Sequence, residues 1–430
     1  MRRADLTLAI AVAGLAVAGC HLLVHPNELL RDGGVAAGLD AGLEAGLDAS
    51  DPNPPDADLP DLFPDAGPRT VLDGGVYRMS SGNVSVVFDC QSAGCASTEV
   101  RIAGEGSGSN LLYTSTDGSP ERFGGISYFA YSFSYESAAT DFRVLESGPV
   151  SQVFFWWRAA DFRGTSLYTL HPDGRLVRDE HVWPTKEHSD AWLVAYFAAD
   201  ATKFTDIEWK LGTASPGMSQ VPADTDVFEP VHTAGYTCAF SRSGSPTKDV
   251  VGWIHGDELS QDVRLRLRAV GRPDSLLFAT DWVEEGLPQP AAIGQEYQAT
   301  VVAVFRAGVG CSAVAAQAAA WAAPPTWSFS AGAAASPGDA NGFERAAGLY
   351  RFEAVGSPGP RVEATLGGTE LPTSTYRVSG GLAHEVPQVL VDSTQLGASD
   401  FVTASCADGE DVFVHVAKPI QPGQKLTIAW

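Results

Sequence analysis

Positive charge is scarce in this sequence. Lysine and arginine number 28 against 52 aspartates and glutamates, giving a formal net charge of −24 over 430 residues. A surface of that sign repels nucleic acid and anionic headgroups, so no nucleic-acid partner is expected. Long apolar runs are missing after the first twenty residues, so no later segment reads as a membrane-spanning helix. The common catalytic signatures are missing too: there is no His-Glu-x-x-His, no Gly-x-Ser-x-Gly and no Walker loop. Gly308-Val309-Gly310-Cys311-Ser312-Ala313 imitates a dinucleotide fingerprint, but no β-α-β succession surrounds it, and no cofactor is expected. The six cysteines lack paired zinc-ligand spacing. Gly338-Asp339-Ala340-Asn341-Gly342 with Glu344 lacks the oxygen set of a calcium loop and reads as a turn, so no metal is expected.

What is present begins at the N-terminus. Arg2 and Arg3 precede an apolar run from Leu6 to Leu15, which is too short to span a bilayer and reads as a signal peptide. Val17-Ala18-Gly19-Cys20 resembles the lipobox of bacterial lipoproteins. The resemblance implies cleavage after residue 19, lipidation of Cys20 and a membrane anchor through it. His21, rather than Asp, follows the cysteine, which by the same resemblance favours the outer membrane or cell surface of a bacterial envelope. Residues 20–69 then read as a tether. Ala37-Gly38-Leu39-Asp40, Ala41-Gly42-Leu43-Glu44 and Ala45-Gly46-Leu47-Asp48 repeat every four residues, and a Pro/Asp-rich run ends at Pro68. Gly, Pro and like charges keep such a segment extended.

Residues 70–430 read as strands rich in Val, Ile, Phe, Tyr, Trp and Thr, punctuated by Gly, Pro, Asp and Ser. His171-Pro172-Asp173-Gly174 is a hairpin turn that pairs Thr165–Leu170 with Arg175–Trp183. The Ala-rich segment Ser312–Ala322, closed by Pro324-Pro325, is the one convincing helix and marks a boundary. The expected architecture is all-β: a large antiparallel supersandwich over 70–325, followed by a smaller β-sandwich over 326–430. An extracytoplasmic setting permits disulfides. Cys90 and Cys95, five residues apart around Gly94, form the first expected bridge; Cys238 with Cys311 is the next pairing considered, leaving Cys406 over.

Four stretches carry a further resemblance: Asn83–Asp89, Asn110–Tyr113, Val144-Leu145-Glu146-Ser147-Gly148-Pro149-Val150, and Tyr168–Leu176 with its turn. Their order resembles the galactose-mutarotase-like supersandwich found in sugar mutarotases, several glycoside hydrolases and the β-domains of many polysaccharide lyases. The resemblance implies a sugar-binding fold and carries over no catalytic residue.

The densest polar stretch is Arg178 to Trp192. On a strand over Arg175–Trp183, Asp179, His181 and Trp183 share one face, while Arg178 and Glu180 share the other. A Trp platform with His and carboxylates suits a pyranose, because the ring stacks on its apolar face and the polar groups handle hydroxyls or protons. The expected catalytic set is His181 as proton shuttle, Glu180 or Glu187 as carboxylate and Arg178 as charge partner. Trp183 as platform, with Trp156, Tyr168, His188 and Trp192, forms the expected ligand-binding set. Tyr128, Tyr131 and Tyr135, and His232 and His255, are further candidates without a spatial argument. The expected function is a lipid-anchored surface protein that binds carbohydrate and, if it is an enzyme, processes it in a lyase- or hydrolase-like way. The alternative is a non-catalytic adhesin or a structural envelope protein.

Overall fold

The computed structural model describes residues 76–89, 96–112, 126–129, 139–158, 162–185, 187–211, 215–220, 227–230, 235–241, 248–255, 264–269, 275–281, 289–291, 293–308, 310–357, 359–382, 384–407 and 409–430. The expected signal sequence, Cys20, the expected tether, and Cys90 with Cys95 lie outside the described residues, as do Tyr131, Tyr135 and His232.

The chain is all-β. β1 (Val76–Ser81), β2 (Val84–Asp89) and β3 (Ala96–Ile102) form a small antiparallel sheet, and β4 (Ile126–Phe129) follows. β5 (Ala139–Ser147), β6 (Ser151–Arg158), β7 (Phe162–Leu170) and β8 (Arg175–Pro184) are consecutive antiparallel neighbours. Then come β9 (His188–Asp200), β10 (Asp206–Leu211), β11 (Gly217–Gln220), β12 (Val227–Pro230), β13 (Gly235–Phe240), β14 (Asp249–His255), β15 (Arg264–Ala269), β16 (Ser275–Asp281), β17 (Gln289–Ala291) and β18 (Tyr297–Ala307). Among the described residues they complete a nine-stranded sheet, β11-β10-β13-β14-β18-β8-β7-β6-β5, and a six-stranded sheet containing β12-β15-β16-β9-β17 with β4 beside β9.

Strand alternation explains the layering. One face of the nine-stranded sheet supplies Val153, Phe155, Tyr168, Leu176, Val182 and Phe305 to a core shared with Val86 and Phe88 of β2, and with Phe197 and Phe278 of the six-stranded sheet. Phe88, Phe155 and Tyr168 meet with ring centroids 5.1–5.4 Å apart. The turn between β7 and β8 forms as its sequence predicts. Gly174 has φ of +85°, and a Cβ there would lie 1.8 Å from the Phe305 carbonyl oxygen, so glycine is required twice over.

The opposite face packs on α1 (Ser312–Ala322). Val314, Gln317, Ala318 and Trp321 form its buried stripe at helical spacing. Gly252 of β14 lets the helix approach, since a Cβ there would lie 2.5 Å from Val314 Cγ1. Cys311, just before the helix, is bonded to Cys238 of β13, and Cys406 is a buried thiol elsewhere.

β19 (Thr326–Ala331), β20 (Ala333–Ala334), β21 (Phe343–Glu344), β22 (Leu349–Glu353), β23 (Arg361–Gly367), β24 (Ser374–Ser379), β25 (Gln388–Val391), β26 (Thr394–Gln395), β27 (Phe401–Ser405), β28 (Val412–Val416) and β29 (Lys425–Ala429) follow. They make two facing sheets, β19-β23-β29-β25-β26 and β20-β22-β24-β28-β27, with β21 beside β22. β22 and β24 run parallel. This smaller sandwich shares a core with α1 and with Val177, Ile254, Val302 and Val304 of the nine-stranded sheet. It therefore covers part of the face on which Asp179 and His181 also lie.

Candidate functional site

The site is built on β8 and β18, whose antiparallel register sets Asp179 opposite Thr300 and His181 opposite Gln298. Opposed residues in such a pair project to the same face. Asp179, His181, Trp183, Gln298 and Thr300 therefore converge, and Glu296 reaches in from the residues just before β18.

His181 Nε2 lies 2.9 Å from Asp179 Oδ2, and Nδ1 lies 2.5 Å from Glu296 Oε1. Thr300 Oγ1 donates to Asp179 Oδ1 at 2.6 Å, and Gln298 Nε2 donates to the same oxygen at 3.3 Å. Burial alone lowers the His181 pKa, but hydrogen bonds and charge from Asp179 and Glu296 outweigh it and raise the value to about 9. At neutral pH the ring is thus an imidazolium donating both N–H groups to carboxylates. The His181 side chain is 22% exposed and that of Glu296 is 45% exposed, so Glu296 is the partner that water or a ligand reaches first.

Trp183 stacks on His181 with centroids 5.9 Å apart and planes 17° from parallel. It is 5% exposed, so the ring supports the histidine instead of offering the open sugar platform expected of it. Among the described residues, Trp156 and Phe154 are half-buried aromatics on this face, their rings edge-on at 5.3 Å. Trp156 opposes Thr165, which opposes His181, which opposes Gln298, in one row across β6, β7, β8 and β18. Two strand spacings separate Trp156 from His181, about 10 Å.

Arg178 and Glu180 take no part in this site. They lie on the other face of β8, 0% and 1% exposed, as an ion pair at 2.8 Å inside the inter-sheet core. Arg178 sits 5.1 Å over the Tyr168 ring, and Ser166 donates to Glu180. The charge-partner and carboxylate roles expected of Arg178 and Glu180 are corrected by this geometry, because strand alternation points them away from His181. Tyr168 is 2% exposed in the same core, which corrects its expected ligand contact. Glu187 is exposed after β8 and makes no described bond with His181. His188 and Trp192 belong to β9, but their side chains lie outside the described residues, as do those of Tyr128 and His255. Asp339 accepts from the backbone N–H groups of Asn341 and Phe343, the turn expected there. Among the described residues no group of three His, Cys, Asp or Glu side chains is arranged to hold a metal.

Glu296, Gln298 and Thr300 escape a reading of the sequence. They stand more than a hundred residues from their partners, and only the β8–β18 pairing joins them.

No family model matches the chain, and no curated protein matches it. Among solved structures, it is similar to a GH36 α-galactosidase from Geobacillus stearothermophilus, at 10% identity and a TM-score of 0.38, over 58% of this chain and 41% of that one. It is also similar to a galactose mutarotase/aldose epimerase homologue from C. elegans, at 10% identity and a TM-score of 0.32, over 54% of this chain and 99% of that one. A galactose mutarotase-related enzyme from Lactobacillus acidophilus is similar at 9% identity and a TM-score of 0.30, over 54% and 98%. The chain spans about two fifths of the galactosidase's own length, 41%.

Proposed function

We propose that this chain is an envelope-anchored lipoprotein that binds carbohydrate on the open part of the nine-stranded sheet, with Asp179, His181 and Glu296 as the polar centre. The observation that carries the reading is the cross-strand row: a half-buried Trp156 and a carboxylate-clamped His181 share one face at about 10 Å, the span of one to two sugar rings. In hydrolysis, the glycosidic oxygen replaces Glu296 at His181 Nδ1 and takes its proton as the bond to the anomeric carbon breaks, while the released Glu296 carboxylate takes a proton from the water whose oxygen forms the new bond to that carbon. Asp179, held by Thr300 and Gln298, keeps Nε2 engaged and fixes the ring.

A second reading, binding without chemistry, is supported by the occupancy of both ring nitrogens and by the burial of Trp183. A glycan-array screen of the mature protein, with reducing-end and ultraviolet product assays on every hit, separates the two. Product formation lost in His181→Ala supports processing. Binding that survives His181→Ala and falls at least tenfold in Trp156→Ala supports a binding face alone. Absence of binding to any glycan overturns both. The anchor rests on the lipobox resemblance.

A further inference from the structure

The contact between the smaller sandwich and the nine-stranded sheet joins an apolar core, in which Val177 and Val302 are buried, to a polar chain buried as deeply. His171, in the β7–β8 turn, is 0% exposed. Its Nε2 lies 2.9 Å from the Ala347 carbonyl oxygen, and its Nδ1 lies 2.9 Å from Thr375 Oγ1 of β24. The same hydroxyl lies 3.0 Å from Nδ1 of His415 on β28. A carbonyl only accepts, so His171 carries its proton on Nε2 and accepts at Nδ1 from Thr375. Thr375 Oγ1 in turn accepts from His415 Nδ1–H. One direction of donation satisfies all three groups with both rings neutral.

The charged groups around this chain are defined. Asp173 and Arg175 of the turn pair at 2.7 Å, and Asp173 also accepts from Thr373 and from Gln317 of α1. Arg175 Nη1 donates to the Gly348 carbonyl at 3.4 Å, and Tyr350 of β22 is a further titratable neighbour of Arg175. At the adjoining part of the contact, Glu146 of β5 accepts from the Ala407 N–H at 2.8 Å and lies 3.9 Å from Arg377, which bonds Asp411 at 2.6 Å. Val150 there packs with Ala347, Leu349, Cys406 and Phe413.

We propose that His171 and His415 make this contact an acid-released latch: protonation separates the smaller sandwich from the nine-stranded sheet and uncovers the Val177 end of β8 beside Asp179 and His181. A first added proton reverses the chain but leaves a buried cation next to Arg175. A second puts two N–H donors on one hydroxyl whose own hydrogen has no acceptor, so the latch breaks. In the opened form both rings meet water and titrate near the ordinary 6.5. In the closed form burial, aided by Arg175, outweighs the opposing charge of Asp173 and lowers His171 to about 3, and burial lowers His415 to about 4 against the same carboxylate. The closed form therefore binds fewer protons, and acid favours opening, by about tenfold per pH unit for each histidine between about pH 6 and pH 4.5. α1 stays with the large sandwich through Cys238–Cys311, so the parting follows the helix at Ala323, Pro324 and Pro325. This latch stands independently of the carbohydrate reading.

Cys406 reports the opening. The mature protein is treated with 4,4′-dithiodipyridine between pH 7 and 4, and labelling of the Cys406 peptide is followed by mass spectrometry relative to urea-unfolded protein at each pH. The relative rate should climb about a hundredfold per pH unit between pH 6 and 4.5. In His415→Asn, whose amide replaces the Nδ1 donor, the climb should fall to about tenfold. A relative rate independent of pH overturns the latch, as does an unchanged hundredfold slope in His415→Asn. Amide exchange in β9 and β16 of the six-stranded sheet rising in step with Cys406 labelling also overturns it, because acid then unfolds the large sandwich as a whole. If His415→Asn does not fold, the wild-type slope and the exchange comparison decide.

Discussion

His181 sets the proton balance of the candidate site. Its pKa of about 9 lies above the ordinary 6.5, so the stabilisation from its clamp is complete below about pH 6.5 and is lost as pH rises through about 9. The clamp contributes about 2 kcal/mol once solvent screening of half-exposed Glu296 is allowed for. Proton NMR of the imidazole should show this high value in the native protein, and Asp179→Asn should bring it down towards 6.5 while the fold persists. An unshifted resonance in Asp179→Asn contradicts the assignment of Asp179 as the fixing group. Arg178 behaves oppositely. Arg178→Met strands Glu180 in the inter-sheet core and should cost about 3–5 kcal/mol by urea unfolding. Replacing both, as Arg178→Met with Glu180→Leu, should recover most of that loss.

At the scale of elements, two close approaches hold the nine-stranded sheet to its neighbours. The β7–β8 turn needs Gly174 in the left-handed region beside the Phe305 carbonyl, so Gly174→Ala should lower stability by at least about 2 kcal/mol. A smaller effect by calorimetry means that the turn relaxes. The helix is held by the stripe from Val314 to Trp321 over Gly252 and by the Cys238–Cys311 bridge across 73 residues. Loop-closure entropy for that span makes the bridge worth about 4 kcal/mol, which the paired Cys238→Ser and Cys311→Ser variant should lose. Strand and helix positions were legible in the sequence because periodicity and turn residues are local. The helix begins and ends where its Ala run and Pro324-Pro325 predict. β9 was less legible. It extends from His188 to Asp200, beyond the apolar stretch from Trp192 to Phe197, because pairing with β17 draws in the polar residues before it.

At the scale of the whole molecule, the proposed anchor makes its own prediction: Cys20→Ser should move the protein from the membrane fraction to the released fraction, and retention in the membrane contradicts the proposed lipidation. The all-β class, the hairpin at His171–Gly174, the helix, and the division of β8 into an Asp179–His181–Trp183 face and an Arg178–Glu180 face are all local in origin. Each follows from spacing along one strand or turn, where a period of two or 3.6 residues places side chains without further help. Long-range packing sets which of those faces is open. Arg178 and Glu180 face a second sheet and are sealed, whereas His181 faces outward and gains Glu296, Gln298 and Thr300 from a strand that a local pattern cannot pair with β8. It also decided that Trp183 is covered and that two histidines 244 residues apart share one hydroxyl across the sandwich contact, by the register of strands distant in the chain.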